Sequence, residues 1–205
     1  MINGRKILSL SFSGKKSRAL GLGLLLLSAS AQGAVQPRVF RVISEKSHVS
    51  FLAVGRPSLL KIKGEGKSLA GEIQSSTASI ETGTNVSASF ELDLASLTSG
   101  IERRDSHMKE RYLEVGKFPK ARLKVATWKT RLGSSEPFQG ILNLHGVEKP
   151  VEGTIRAEKI GDQSVHSTAQ FKIHLSDFAV AIPVFAGITV ADEVEIEVEL
   201  EAVAQ

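Results

Sequence analysis

The sequence predicts an all-β protein, an antiparallel barrel of eight to ten short strands with one helical excursion. Three observations lead there. From residue 39 onward, apolar and polar residues alternate with a period of two in segment after segment. Each of these segments has a single apolar face, whereas a parallel sheet covered on both sides needs strands apolar throughout, with crossover helices between them. The one long stretch that does not alternate is Glu102 to Leu123, ERRDSHMKERYLEVGKFPKARL. A sandwich would also bury one face per strand, but a sheet curled on itself does so without a covering layer and removes its exposed edges.

Taken in order, Val39 to Ile43 and the stretch around Val49-Phe51-Ala53 are the first two strands. Leu59 to Lys63 is a third; Gly64-Glu65-Gly66 reads as a hairpin turn into Leu69 to Ile73. Thr84 to Leu94 places Val86, Ala88, Phe90, Leu92 and Leu94 on one face and Ser87, Ser89, Glu91 and Asp93 on the other. After the excursion come Ala121 to Thr127, Phe138 to Leu144, Val151 to Lys159 and Val165 to Leu175. The last strand, Val194 to Val203, turns Glu195, Glu197, Glu199 and Glu201 to one side and Val194, Ile196, Val198 and Leu200 to the other.

Residues 1–33 stand apart. Arg5, Lys6, Lys15, Lys16 and Arg18 precede the apolar run Ala19 to Leu27, and a small-residue stretch follows in which Ala29-Ser30-Ala31 fits a cleavage site and Ala31-Gln32-Gly33 is a weaker alternative, the layout of a removed export signal. The run is shorter than the ~20 residues a membrane-spanning helix needs. The expected organisation is therefore a signal peptide over 1–33 and one domain over 34–205, destined for the periplasm or the cell exterior. The whole chain has 26 Lys and Arg against 22 Asp and Glu, but five of those bases and none of the acids fall within residues 1–33. The remaining 21 against 22 leave no positive field to bind nucleic acid. There is no cysteine, so an exported domain must be held by its core alone.

The inward face mixes large residues, among them Phe51, Phe90, Leu92, Leu123, Phe171 and Ile173, with small ones such as Ala53, Ala88, Ala121, Gly153 and Ala169. Close packing demands that the small residues be compensated by neighbouring bulk or by a ligand, and periodicity leaves both open. A cavity there would be apolar and would take up hydrocarbon at roughly 0.8 kcal/mol per methylene. Replacing Ala88 or Ala169 by leucine separates the two: a tunnel tolerates it, a filled core does not.

Catalytic signals are weak. Ser96, Ser99 and Ser106 lie near Asp105 and His107, but no G-x-S-x-G elbow accompanies them, so a hydrolase rests only on the presence of the residue types. The histidines at 48, 107, 145, 166 and 174 show no metal-ligand spacing. His145-Gly146 reads first as a hairpin turn. Within the excursion, the charges from Glu102 to Arg111 suit a solvated helix, whereas Tyr112, Leu113, Val115 and Phe118 are too apolar for an exposed loop and favour a cover across one end of the barrel.

The runs TSGIERRDSHMKERYLEV, KFPKARL and FQGILNLHGVEKPV, with the closing ADEVEIEVEL, resemble the YceI-like family of exported bacterial proteins; Ser47-His48-Val49-Ser50-Phe51 resembles its H-S-x-V-x-F motif with Ser and His exchanged. The resemblance spans about residues 39–203. Ser44 stands where the family often has Asp, and Gly55 where a second His commonly ends the strand. The resemblance implies an extended antiparallel lipocalin-like β-barrel of about eight strands with one short helical excursion. It implies a non-catalytic protein that needs no cofactor and holds a polyisoprenoid, isoprenoid quinone or fatty-acid-type lipid in an apolar tunnel. A homodimer is compatible with it. Phe51, Ala88, Phe90, Leu92, Leu123, Ala169 and Phe171 would contact the ligand from the wall, and Tyr112, Leu113 and Phe118 from the cover. Arg104, Asp105 and His107 would form a charged group near the entrance, and His145 with Gly146 the family's matching hairpin. The alternative reading is a structural or interaction protein of the cell envelope with a filled barrel.

Overall fold

The computed structural model describes residues 37–57, 60–159, 163–185 and 187–205, and the expected export signal lies outside them. The strands are β1 (Arg38–Val42), β2 (His48–Arg56), β3 (Leu60–Gly66), β4 (Leu69–Ser75), β5 (Asn85–Asp93), β6 (Lys120–Lys129), β7 (Ser135–Leu144), β8 (Val147–Lys159), β9 (Ser164–His174), β10 (Val184–Phe185) and β11 (Ile188–Ala204), with helix α1 (Glu102–His107) between β5 and β6. All strand pairings are antiparallel. Eight strands, β1-β4-β5-β6-β7-β8-β9-β11, form a ring that closes where Phe40, Val42 and their neighbour pair with Ala204 to Ala202.

The last strand is much longer than the expected Val194–Val203, and its length sets the architecture. One edge of β11 pairs with β9 from Glu193 to Val203. The other edge is shared: its C-terminal end takes β1, and from Glu199 back to Thr189 it takes β2. The chain changes places through a single turn of 3-10 helix, Ser44–Lys46. At that point Ser47, buried, donates to the Ile43 carbonyl at 2.7 Å and accepts from the Glu201 N–H at 3.1 Å. Without its hydroxyl, a buried backbone donor of β11 would lack a partner.

Because β2 leaves the ring in company with β3, the β2–β3 pair extends beyond it as a flap. The expected hairpin at Gly64-Glu65-Gly66 does not form. Gly64 and Gly66 stay within β3, paired with Phe51 and Val49, and β3 pairs with β2 while β4 pairs with β1 and β5. The glycines serve packing instead of turning. In the pairs Phe51–Gly64, Phe90–Gly71 and Phe171–Gly153, a phenylalanine sits directly opposite a glycine on the next strand. A Cβ at Gly64 would overlap the Phe51 ring, and one at Gly71 would come within 2.6 Å of the Phe90 ring. Each ring can therefore lie along the wall instead of standing in the lumen. Over Gly153, Phe171 meets Phe138 edge-on, with centroids 6.0 Å apart at 88°.

Two other boundaries differ from expectation. β8 starts at Val147, directly after the His145-Gly146 turn, whose φ values of 53° and 78° are those of a tight two-residue hairpin connection. It runs through Pro150, which is tolerated because that part of β8 pairs only with β7. The helical excursion is α1 for six residues and then widens into a π-helical turn, Met108–Tyr112.

The interior divides in two. Toward the closed end, Phe40, Ile73, Val86, Phe138, Val165 and Ala202 fill the barrel, and the loop 76–84 buries Ile80 beneath them. Ala88, 7% exposed and paired with Ile73 and Val125, belongs to this filled half. Ala88→Leu is therefore expected to destabilise the fold by about 1–3 kcal/mol through overpacking, read as a lowered urea midpoint at unchanged m-value; an unshifted midpoint would show spare volume at that depth.

Candidate ligand-binding cavity

Toward the other end the barrel is hollow. A cavity of about 250 Å³ is lined almost entirely by carbon from β2, β3, β5, β6, β7, β9 and β11. The segment Glu102–Phe118 covers it, with Met108, Tyr112 and Leu113 turned toward it. Three ties hold this cover. At its start, a bridge between Thr98 and Glu65 (N–H to carbonyl at 2.7 and 2.8 Å) joins it to the outer edge of β3. In its middle, Tyr112 Oη donates to the Val184 carbonyl at 3.1 Å and accepts from the Val184 N–H at 3.0 Å, linking the π-helical turn to β10. At its end, His145 Nε2 lies 2.7 Å from the Glu114 carboxylate while Nδ1 faces the Phe178 carbonyl at 3.2 Å, and Phe118 packs on the His145 ring at 4.4 Å.

The charged triplet at the start of the cover is mostly structural. Asp105 is buried; it accepts from Thr98 Oγ1 at 2.6 Å, from the Ser99 N–H at 2.8 Å and from the Ser99 hydroxyl. Arg104 donates through Nε to Ser99 Oγ at 2.7 Å and through Nη2 to the Ser99 carbonyl at 2.9 Å. Burial works to raise the Asp105 pKa, but the Ser99 and Thr98 hydroxyls and the Ser99 N–H, with Lys109 nearby, outweigh it and hold the carboxyl below its ordinary value. A carboxylate so stabilised is a poor general base.

Of the residues singled out from the sequence, Phe51, Phe90, Leu92, Arg104, His107, Tyr112, Leu113, Leu123 and Phe171 line the cavity. Four do not. Ala88 and Ala169 lie on the wall outside its lining, paired with Val125 and Ile155 respectively. Asp105 points away from the cavity into the 98–99 loop, and Phe118 packs outside against the β7–β8 turn, where a Cβ on Gly146 would come within 2.7 Å of its ring. Lining residues that the sequence reading passed over include Leu60, Ile62, Pro183, Ile188 and Val190. The alternation Ile188-Thr189-Val190 continues the last strand N-terminally and carried a signal for two of them. Among the described residues, no group of His, Asp and Glu side chains is placed to hold a metal ion, and no helix is long and apolar enough to cross a membrane.

A closed eight-stranded antiparallel barrel with an apolar, covered cavity defines a lipocalin-like class of binding fold. The chain belongs to the YceI-like domain family, whose model matches residues 40–202. It is similar to a UPF0312 protein of Pseudomonas putida strain W619, at 28% identity over 199 residues that cover 93% of this chain and 98% of the relative. In fold it is similar to a polyisoprenoid binding domain from Saccharophagus degradans implicated in plant cell wall breakdown, with a TM-score of 0.65 and 15% identity over 81% of this chain and 98% of that one. BcnA of Burkholderia cenocepacia gives a TM-score of 0.64 at 21% identity, over 78% and 98% of the two chains.

The depressed Asp105 carboxyl stabilises the fold fully above its ordinary value near 3.8, and that contribution is lost as pH falls through the lower folded-state value. Asp105→Asn is expected to cost about 1–3 kcal/mol, to speed amide exchange across 99–113, and to remove part of the acid-induced loss of stability below about pH 4. Unchanged exchange in that segment would refute the tie.

Proposed function

We propose that the protein binds and carries, or sequesters, a long lipid of the polyisoprenoid, isoprenoid quinone or fatty-acyl type, in the periplasm after removal of residues 1–33. The observation that carries this reading is the covered cavity itself, lined almost entirely by carbon. An empty apolar lumen lacks van der Waals contacts across its centre and leaves its wall to water, at roughly 25 cal/mol for each Å² that a hydrocarbon would cover. A hydrocarbon occupant restores those contacts. The polyisoprenoid-binding relative in fold supports the same class of ligand.

The polar atoms at the cavity wall are already engaged. Ser99 serves Asp105 and Arg104, and Tyr112 Oη is held by Val184. The ligand is thus gripped by its tail, and a polar head group stays at the mouth. The hollow volume beneath the cover favours this reading over a filled barrel.

Solvent extraction of the purified protein is expected to release about one lipid per chain, and delipidation is expected to lower Tm, since a ligand that binds only the native state stabilises it. Extraction that yields no lipid, with native mass spectrometry showing only the bare chain, would refute the reading. Ala53 and Ala121 line the cavity. Ala53→Leu or Ala121→Leu is expected to displace about two methylenes of ligand and to weaken uptake of a hydrocarbon probe by roughly tenfold, while far-UV circular dichroism stays that of the parent.

A further inference from the structure

We infer that the mouth of the cavity is a docking surface for an anionic phospholipid bilayer, centred on the β2–β3 flap. This rests on the lipid-carriage reading and adds how the lipid enters. The cavity meets the surface beside Leu60, which both lines it and is 44% exposed. β3 is the last strand of the sheet path, so among the described residues its outer edge is joined only by the Glu65–Thr98 bridge. Leu60 and Ile62 of that edge strand share the cavity lining with Met108 and Tyr112 of the cover.

Two features identify the partner. The first is apolar exposure: Leu60, Val184 at 54% and Ile101 at 51% are three of the five large exposed apolar residues among those described. Val184 is bonded through its backbone to Tyr112 of the cover, and Ile101 immediately precedes α1, so all three adjoin the elements that line or cover the cavity. The second is charge. From Ser47 to Gly64 the chain contains Arg56, Lys61 and Lys63 and no acidic residue. All three are exposed, and none takes part in an ion pair among the described residues. Elsewhere on the same sheet some outward bases are paired, Lys172 with Glu193 at 2.8 Å and Lys46 with Glu201 at 2.8 Å. Arg41, Lys124 and Lys149 are exposed without an ion pair among the described residues. What marks the flap is the coincidence of acid-free basic sequence with exposed apolar residues at the mouth. Unmatched bases around exposed apolar residues complement the negative potential of an anionic leaflet, where basic side chains attract and apolar ones insert. A long-chain lipid has almost no solubility as a monomer, so a carrier that presses its mouth on the bilayer spares it passage through water. Lysines on an edge strand also discourage strand addition, and that role alone would leave vesicle binding unaffected.

The chain has no cysteine, which permits one to be placed at will. Val184→Cys, labelled with an environment-sensitive fluorophore, is mixed with phosphatidylglycerol or phosphatidylcholine vesicles; Ser135→Cys, exposed at the closed end, is the control. Parent and variants share the same N-terminus. The expected result is a blue shift at position 184 with phosphatidylglycerol alone, none at 135, and a partition that salt weakens. The Lys61→Glu, Lys63→Glu double variant is expected to lower that partition roughly tenfold or more while its uptake of a hydrocarbon probe in vesicle-free solution stays that of the parent. Equal partition of parent and double variant, or no preference for the anionic vesicles, overturns docking. The probe arm keeps the two readings apart: uptake without docking leaves carriage standing, and docking without uptake refutes carriage alone.

Discussion

The structure depends on one constraint, that a single edge of β11 is shared between two strands. A closed barrel needs every strand to have two neighbours, and β11 satisfies this with β1 only over its last residues. Beyond Glu201 the neighbour is β2, which brings β3 with it and not the rest of the ring. One half of the barrel is consequently sealed and narrow enough for side chains to fill. The other is splayed, with an outer strand that has no continuous partner. The buried hydroxyl of Ser47 makes the change of partner possible, because it accepts from the Glu201 N–H at the point where the ladder is interrupted.

A splayed barrel would collapse on its own lumen unless its large residues were kept aside, and the glycines opposite Phe51, Phe90 and Phe171 do this. A flat ring against a glycine backbone buries as much apolar surface as one pointing inward, yet leaves the centre unfilled. The cover then needs anchors that do not intrude. Its three ties use hydrogen bonds and one ring contact at separate points, to β3, to β10 and to the β7–β8 turn. Asp105 and Arg104 converge on one residue, Ser99, so the charges of the excursion neutralise their desolvation within the cover itself.

Much of this was legible in the residues. The alternation in Thr84 to Leu94 and in Val194 to Val203 assigns faces correctly because the side-chain period of a strand does not depend on its neighbours. The outward glutamates of β11 are where the pattern puts them, with Glu199 between His48 and His166 and Glu201 on Lys46. The apolar residues of the excursion, Tyr112 and Leu113, face the cavity. What failed was information that only pairing supplies. Gly64 and Gly66 carry the composition of a turn, but their requirement comes from the Phe51 ring on another strand. Ala88 and Ala53 are alike in pattern, and only depth along the barrel makes one packed and the other a cavity wall. Asp105 looked like chemistry because its partners, Thr98 and Ser99, become partners only when α1 folds back over them.

The balance of interactions in the hollow half also bears on selectivity. A site that hydrogen-bonds its ligand rejects analogues lacking the bonding group strongly, since buried polar atoms would be left unpaired, whereas an apolar pocket distinguishes one methylene by only about 1–3 kcal/mol. Here Ser99, Arg104 and Tyr112 are engaged within the protein, so the wall presents shape and little else. Under the proposed function, discrimination must come from length and branching measured against a cavity of about 250 Å³, and from whatever the exposed mouth does with the head group. A protein so built is suited to taking one class of lipid and not one compound. Leu60, Ile62, Ile188 and Val190, all in the lining, are then positions at which substitution would change the chains accepted.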